Sequence, residues 1–214
     1  MVRLRRVAAV PLLALALGAT AVPGPAHAAY PSSVTVKDSR TSARAVDISE
    51  VRLEASSYYD SEQYLTVTVP GGFRPGHHLT VWFDLDGDST PDGHYDLRLS
   101  KPKKPGGKYL VKKQEFRRGG GWDDPGTKAR CSNSEDFPVS ATQLRKGTKK
   151  IPLGLDLWYC LGVPNPPGLE SGSWRVAVRV ALGKRADMAP SGRGWSPFVA
   201  GWEPCEPSAS GDCS

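Results

Sequence analysis

The stretch Ser173-Trp174-Arg175-Val176-Ala177-Val178-Arg179-Val180-Ala181-Leu182 sets Val176, Val178, Val180 and Leu182 on one side of an extended chain. Arg175, Ala177 and Arg179 fall on the other. Successive strand residues point to opposite faces, so this reads as a β-strand with one face buried in a sheet. The same alternation recurs upstream. Val51 and Leu53 alternate with Arg52 and Glu54, Leu65, Val67 and Val69 with Tyr64, Thr66 and Thr68, and Leu79, Val81 and Phe83 form a further run. Tyr95, Leu97 and Leu99 interleave with Asp96 and Arg98, which predicts a hairpin with the preceding run across the acidic turn between them. No stretch after residue 28 holds a 3.6-residue period over three turns, and 23 glycines and 19 prolines suit turns rather than helices. The expected fold is all-β, an antiparallel two-sheet β-sandwich of jelly-roll or immunoglobulin-like kind. It spans residues 29–188, with a long basic insertion, and an irregular tail follows over 189–214.

The first 28 residues follow the layout of an export signal. Arg3, Arg5 and Arg6 precede an apolar stretch from Val7 to Val22, and Ala26-His27-Ala28 has the small-x-small form of a cleavage site. Pro11 and the Pro23-Gly24-Pro25 break leave that stretch short of the ~20 apolar residues of a membrane span. The expectation is a secreted protein cut near Ala28, with no membrane span and a monomer as the default state. The chain carries 28 Lys and Arg against 22 Asp and Glu, a formal +6, and three of the basic residues lie in the signal. The remainder has 25 against 22, or +3. Four cysteines, Cys131, Cys160, Cys205 and Cys213, form an even set that in an oxidising compartment reads as two disulfides. Three pairings are possible, and short-range closure favours Cys131 with Cys160 and Cys205 with Cys213. A zinc site is disfavoured, since no Cys-x-x-Cys pair occurs and His77, His78 and His94 lie at no zinc-finger spacing from a cysteine.

Asp84-Leu85-Asp86-Gly87-Asp88-Ser89-Thr90-Pro91-Asp92 is the sharpest chemical feature. It places carboxylates at loop positions 1, 3, 5 and 9, with Thr90 set to offer a backbone carbonyl at position 7. Calcium takes six to eight hard oxygen ligands, and alternate residues of a tight loop can supply them. Four carboxylates this close repel one another unless a cation offsets them. The expected ligands of a Ca²⁺ ion are therefore Asp84, Asp86, Asp88, Thr90 and Asp92; the plain alternative is a solvated Asp- and Gly-rich turn.

This nonapeptide resembles the Asp-x-Asp-Gly-Asp-x-x-x-Asp calcium loops of integrin-type extracellular repeats and the acidic loops of thrombospondin type 3 repeats. It departs from them at Ser89, where such loops usually carry glycine, and Tyr95 stands where an EF-hand would place its Glu. A wider pattern runs from Asp47-Ile48 through Tyr64–Val69 and Val81–Asp88 to Ala186-Asp187-Met188-Ala189-Pro190. It is similar in layout to secreted bacterial β-sandwich modules of the DOMON and family 9 carbohydrate-binding kinds. That resemblance implies a non-catalytic binding or accessory module, for carbohydrate or a cell-surface polymer.

No catalytic motif assembles: there is no Gly-x-Ser-x-Gly elbow, His-Glu-x-x-His pair or phosphate loop. No catalytic residue is assigned. A hydrolase using Asp residues of the acidic loop is the rival reading, and His77-His78 reads as an exposed strand start. Lys101, Lys103, Lys104, Lys108, Lys112, Lys113, Arg117 and Arg118 read as a loop or hairpin arm whose charges protect a sheet edge, with an anionic extracellular polymer as the other possible use. Nucleic acid is not expected as a partner, because no nucleic-acid motif occurs. Of six tryptophans, Trp82 and Trp174 read as packing residues, whereas the glycine-flanked Trp122 and Trp195 are the candidate platforms for a sugar ring.

Overall fold

The computed structural model describes residues 30–39, 43–55, 63–102, 107, 110–129, 144–155, 157–161 and 173–200. These form two antiparallel sheets packed face to face. The smaller has the order β1-β2-β3-β8, built from β1 (Ser33–Lys37), β2 (Glu50–Glu54), β3 (Gln63–Thr68) and β8 (Lys150–Leu155). The larger has the order β10-β9-β4-β5-β6-β7, from β4 (His77–Asp84), β5 (Gly93–Ser100), β6 (Val111–Arg118), β7 (Thr127–Ala129), β9 (Ser173–Leu182) and β10 (Arg185–Ala189). β11 (Val199–Ala200) adds to the free edge at the start of β9. One short helix, α1 (Leu157–Leu161), follows β8.

Period-two patterning decides which faces meet. In the small sheet Leu53, Leu65 and Leu153 lie side by side, as do Val51, Val67 and Ile151. In the large sheet Val81 sits between Tyr95 and Val178, and Leu79 between Leu97 and Val180. All of these side chains are buried in one continuous core with Phe83, Phe116, Val176 and Trp174. Burial of this apolar area, at about 25 cal/mol per Å², is the main stabilising term.

The ends of the sandwich are tied by specific polar contacts. Asp187 on β10 accepts the Ile48 amide N–H at 2.8 Å, which brings together the two ends of the Asp47–Pro190 pattern. Gln63 Oε1 likewise accepts the Leu157 N–H that opens α1.

Two expectations change and one is narrowed. Of the loop and the hairpin arm expected for the basic run, residues 111–118 form the arm. It is a full strand paired with β5 from Gly93↔Arg118 to Ser100↔Val111. Its period was hidden because one inward residue is Gln114, whose Oε1 accepts the buried Tyr95 hydroxyl at 3.1 Å, leaving Phe116 as the clear apolar signal. The segment after residue 188 is not wholly irregular: β11 pairs with β9, and Ser196 both donates its amide to the Val176 carbonyl and accepts the Val176 N–H on Oγ. His77 is buried, not exposed. Its Nδ1 accepts the Arg74 N–H and its Nε2 donates to the Ala45 carbonyl at 2.7 Å.

Candidate functional site

Asp84 and Asp92 flank the acidic turn at the end of the β4–β5 hairpin. The turn is wound by its own carboxylates. Asp84 accepts the Gly87 N–H on Oδ1 at 2.7 Å and the Ser89 N–H on Oδ2 at 3.0 Å. Asp86 accepts the Asp88 N–H, Asp88 the Thr90 N–H, and Asp92 the Leu85 N–H. Gly87 and Ser89 both take left-handed backbone, with φ of 83° and 71°. Ser89 thus adopts a conformation that glycine takes freely, at the strain cost of a side chain there.

Asp84, Asp86 and Asp88 bring one carboxylate oxygen each within 4.8 Å of the others, so these three of the five expected ligands could hold a metal ion. Asp92 stands outside that trio with its Oδ2 on Leu85, and Thr90 is exposed. Asp92 nevertheless registers the charge. Burial raises its pKa above the ordinary 3.8, and the charges of Asp86, Asp84 and Asp88 add to that rise against the Leu85 hydrogen bond.

One feature was not legible in the alternation: the loop has a resident cation. Arg175 faces Asp84 across the β4–β9 pair. Its Nε and Nη2 both donate to Asp84 Oδ2, and Nη2 also donates to Ser89 Oγ at 2.9 Å. The guanidinium lies 4.5 Å from the Phe198 ring centroid and 5.4 Å from that of Trp195. Trp195 Nε1 donates to the Ser89 carbonyl at 3.2 Å, closing the assembly.

From Trp195 an aromatic chain continues across the outer face of the large sheet. Trp195 meets Trp122 at 5.0 Å, and Trp122 meets Trp82 at 5.3 Å. Both candidate platforms are therefore half-buried rather than open. Trp82 packs on this outer face under Trp122, while Trp174 alone of the strand tryptophans enters the core. Arg193, also left-handed at φ 59°, lies over Trp122 and forms a two-pronged pair with Asp123.

Beside Trp82 the same face holds a polar cluster. His78 Nε2 is 2.8 Å from Asp96 Oδ1, which also accepts the Thr80 hydroxyl, and His94 Nε2 is 3.7 Å from Asp96 Oδ2. Burial holds the His94 pKa below 6.5, and Arg117 pushes the same way against the opposing charge of Asp96. For Asp96, burial acts upward, but the hydrogen bonds from His78 and Thr80 and the histidine charges outweigh it and hold the carboxyl below 3.8.

Cys160 on α1 is buried and disulfide-bonded. Cys131, Cys205 and Cys213 lie outside the described residues, as do residues 1–28, where a signal peptide is expected. Among the described residues no helix is long and apolar enough to cross a membrane. No protein-family model, curated protein or solved structure matches this chain.

Two predictions follow from these contacts. Arg175→Met strands a fully buried carboxylate and is expected to cost about 3–5 kcal/mol in urea unfolding without added metal; a loss below about 1 kcal/mol would show that Asp84 does not depend on the guanidinium. For His94, a lowered folded pKa means the unfolded chain binds more protons just below pH 6.5, so stability falls as pH drops through that window. Asp96 adds a second loss below about pH 3.8. His94→Gln should flatten the decline of melting temperature between pH 6.5 and 5, and parallel wild-type and variant curves would refute this.

Proposed function

We propose that this chain is a secreted, calcium-stabilised, non-catalytic binding module for carbohydrate. The observation that carries the reading is the uncompensated charge of the acidic turn. Among the described residues Asp84, Asp86, Asp88 and Asp92 face one guanidinium, which leaves three negative charges on a loop whose trio of carboxylate oxygens lies within 4.8 Å. Ionised carboxylates have several acceptor sites each, and Asp86 and Asp88 spend only one on the turn. Calcium fits this all-oxygen set, with Asp84, Asp86 and Asp88 as side-chain ligands, Thr90 as the carbonyl donor and Asp92 completing it. The ion would supply charge neutralisation and rigidity rather than chemistry.

The carbohydrate part rests on what the loop supports. Ser89 holds Trp195 through its carbonyl, and Arg175 stacks beside the same ring, so ordering the turn orders the Trp195–Trp122 pair. Two indole rings tilted at 45° to one another on a sheet face offer apolar surface of the kind that suits the apolar faces of sugar rings. Two non-glycine residues in left-handed backbone, Ser89 and Arg193, border this pair, and such strain gathers at ligand sites. Export places the turn in a compartment where calcium reaches the weak affinities of external modules, about 10⁻⁴ to 10⁻³ M. Disulfides between Cys131 and Cys160 and between Cys205 and Cys213 suit the same address.

At 10 mM calcium a site of that strength stabilises the fold by about 1.4–2.7 kcal/mol, or roughly 3–10 °C in melting temperature. Chelator should remove the shift, and Asp86→Asn/Asp88→Asn should abolish it. Terbium in place of calcium should show emission sensitised by Trp195, weakened in Trp195→Phe; an unchanged midpoint together with no sensitised emission sinks the metal assignment. Separately, Trp122→Ala/Trp195→Ala is expected to lose at least ten-fold in affinity for a polysaccharide that the wild type retains. Undiminished binding would remove the platform.

A further inference from the structure

We infer that the outer face of the large sheet binds an acidic polysaccharide, a polymer carrying a carboxylate on its sugar rings. This inference rests on the carbohydrate reading and adds the class of sugar. The register places one outward row through His78, Arg98 and Lys113 and another through Trp82, His94, Arg117 and Lys128. Between them runs Arg179, Thr80, Asp96 and Glu115.

On β9, β4, β5, β6 and β7 this face therefore presents Arg175, Arg179, Arg98, Lys113, Arg117 and Lys128 against Asp84, Asp96 and Glu115. The acids are already engaged. Asp84 is held by Arg175, Glu115 by Arg117, and Asp96 by His78 and Thr80. Among the described residues, the side chains of Arg98, Lys113, Lys128 and Arg179 make no hydrogen bond or ion pair, and the first three are exposed. Their surplus lies on the same face as Trp122 and Trp195, so stacking and charge recognition are available to one ligand.

The spacing suits a linear polymer. Neighbouring strands are about 4.7–4.9 Å apart, comparable to one pyranose ring, so Arg98 and Lys113 can meet acidic groups on successive sugars. A guanidinium fork matches a planar carboxylate, and Arg98 has its donors uncommitted. A strand-edge role for these lysines explains Lys128 on short β7 but not Arg98, which lies on an interior strand.

The test is titration of the whole secreted chain with oligogalacturonate, its fully methyl-esterified counterpart, and anionic lipid vesicles, read by tryptophan fluorescence and calorimetry. The expected result is binding of the carboxylated oligomer at least ten-fold tighter than of the ester, weakened by salt. Arg98→Gln/Lys113→Gln should lose ten-fold or more for the acid alone, while Lys37→Gln/Lys150→Gln on the other sheet should lose nothing; circular dichroism should show both pairs folded. Equal affinity for acid and ester, lost in Trp122→Ala/Trp195→Ala, overturns this inference and leaves the platform standing. Binding of the acid that depends on Arg98 and Lys113 but not on the tryptophans upholds the charged face and removes the platform. Vesicle binding equal to that of the acid, or no binding to either sugar, overturns the inference.

Discussion

Asp84 is fully buried, and a carboxylate in that position is tolerable only because Arg175 lies opposite it across β4 and β9. An unpaired buried charge costs several kcal/mol, so the pair constrains everything near it. It fixes the end of the two central strands, it holds the turn through Ser89 Oγ, and it presents the guanidinium to Trp195 and Phe198. The aromatic chain to Trp122 and Trp82 is laid down from there. The acidic turn and the aromatic strip are in this sense one construction, hinged on a single ion pair.

The pair also changes how the turn's electrostatics are understood. Reasoning from four carboxylates in nine residues demands a cation, and the fold provides one that the local sequence does not contain. One guanidinium does not balance four acids. Asp92 feels that remainder in part: burial is the first cause of its raised pKa, and the charges of Asp86, Asp84 and Asp88 add to it. A metal ion at Asp84, Asp86 and Asp88, as proposed above, would relieve that remainder.

The two faces of the large sheet divide the labour. Inward, Val81, Phe83, Tyr95, Val176 and Val178 build the core with the small sheet, and nothing there is available to a ligand. Outward, Trp82 and His94 lie nearly as deeply buried as core residues, yet they do so under Trp122 and among charged neighbours. An outer sheet face that hides its aromatics beneath other aromatics while leaving arginines and lysines uncommitted differs from a merely solvated surface. Its polar groups are organised in rows because the pleat organises them.

Alternation alone determined the class of fold, the β4–β5 hairpin and the inward residues of β2, β3, β4, β5 and β9, because side-chain direction in a strand follows from residue parity and needs no knowledge of partners. The spacing of Asp84, Asp86 and Asp88 was equally legible, since a tight turn brings near neighbours together whatever surrounds it. Parity failed at β6, where Gln114 points inward to a buried tyrosine and lysines crowd the run, and at His77, whose polar ring is buried because two backbone groups satisfy it. Only the tertiary structure decided that Arg175 belongs to the turn, that Trp195 packs on Trp122 and Trp122 on Trp82, and that Arg98, Lys113, Lys128 and Arg179 share one face. Those residues are tens of positions apart, and which strands lie side by side is set by how the whole core packs, a property that no local period carries.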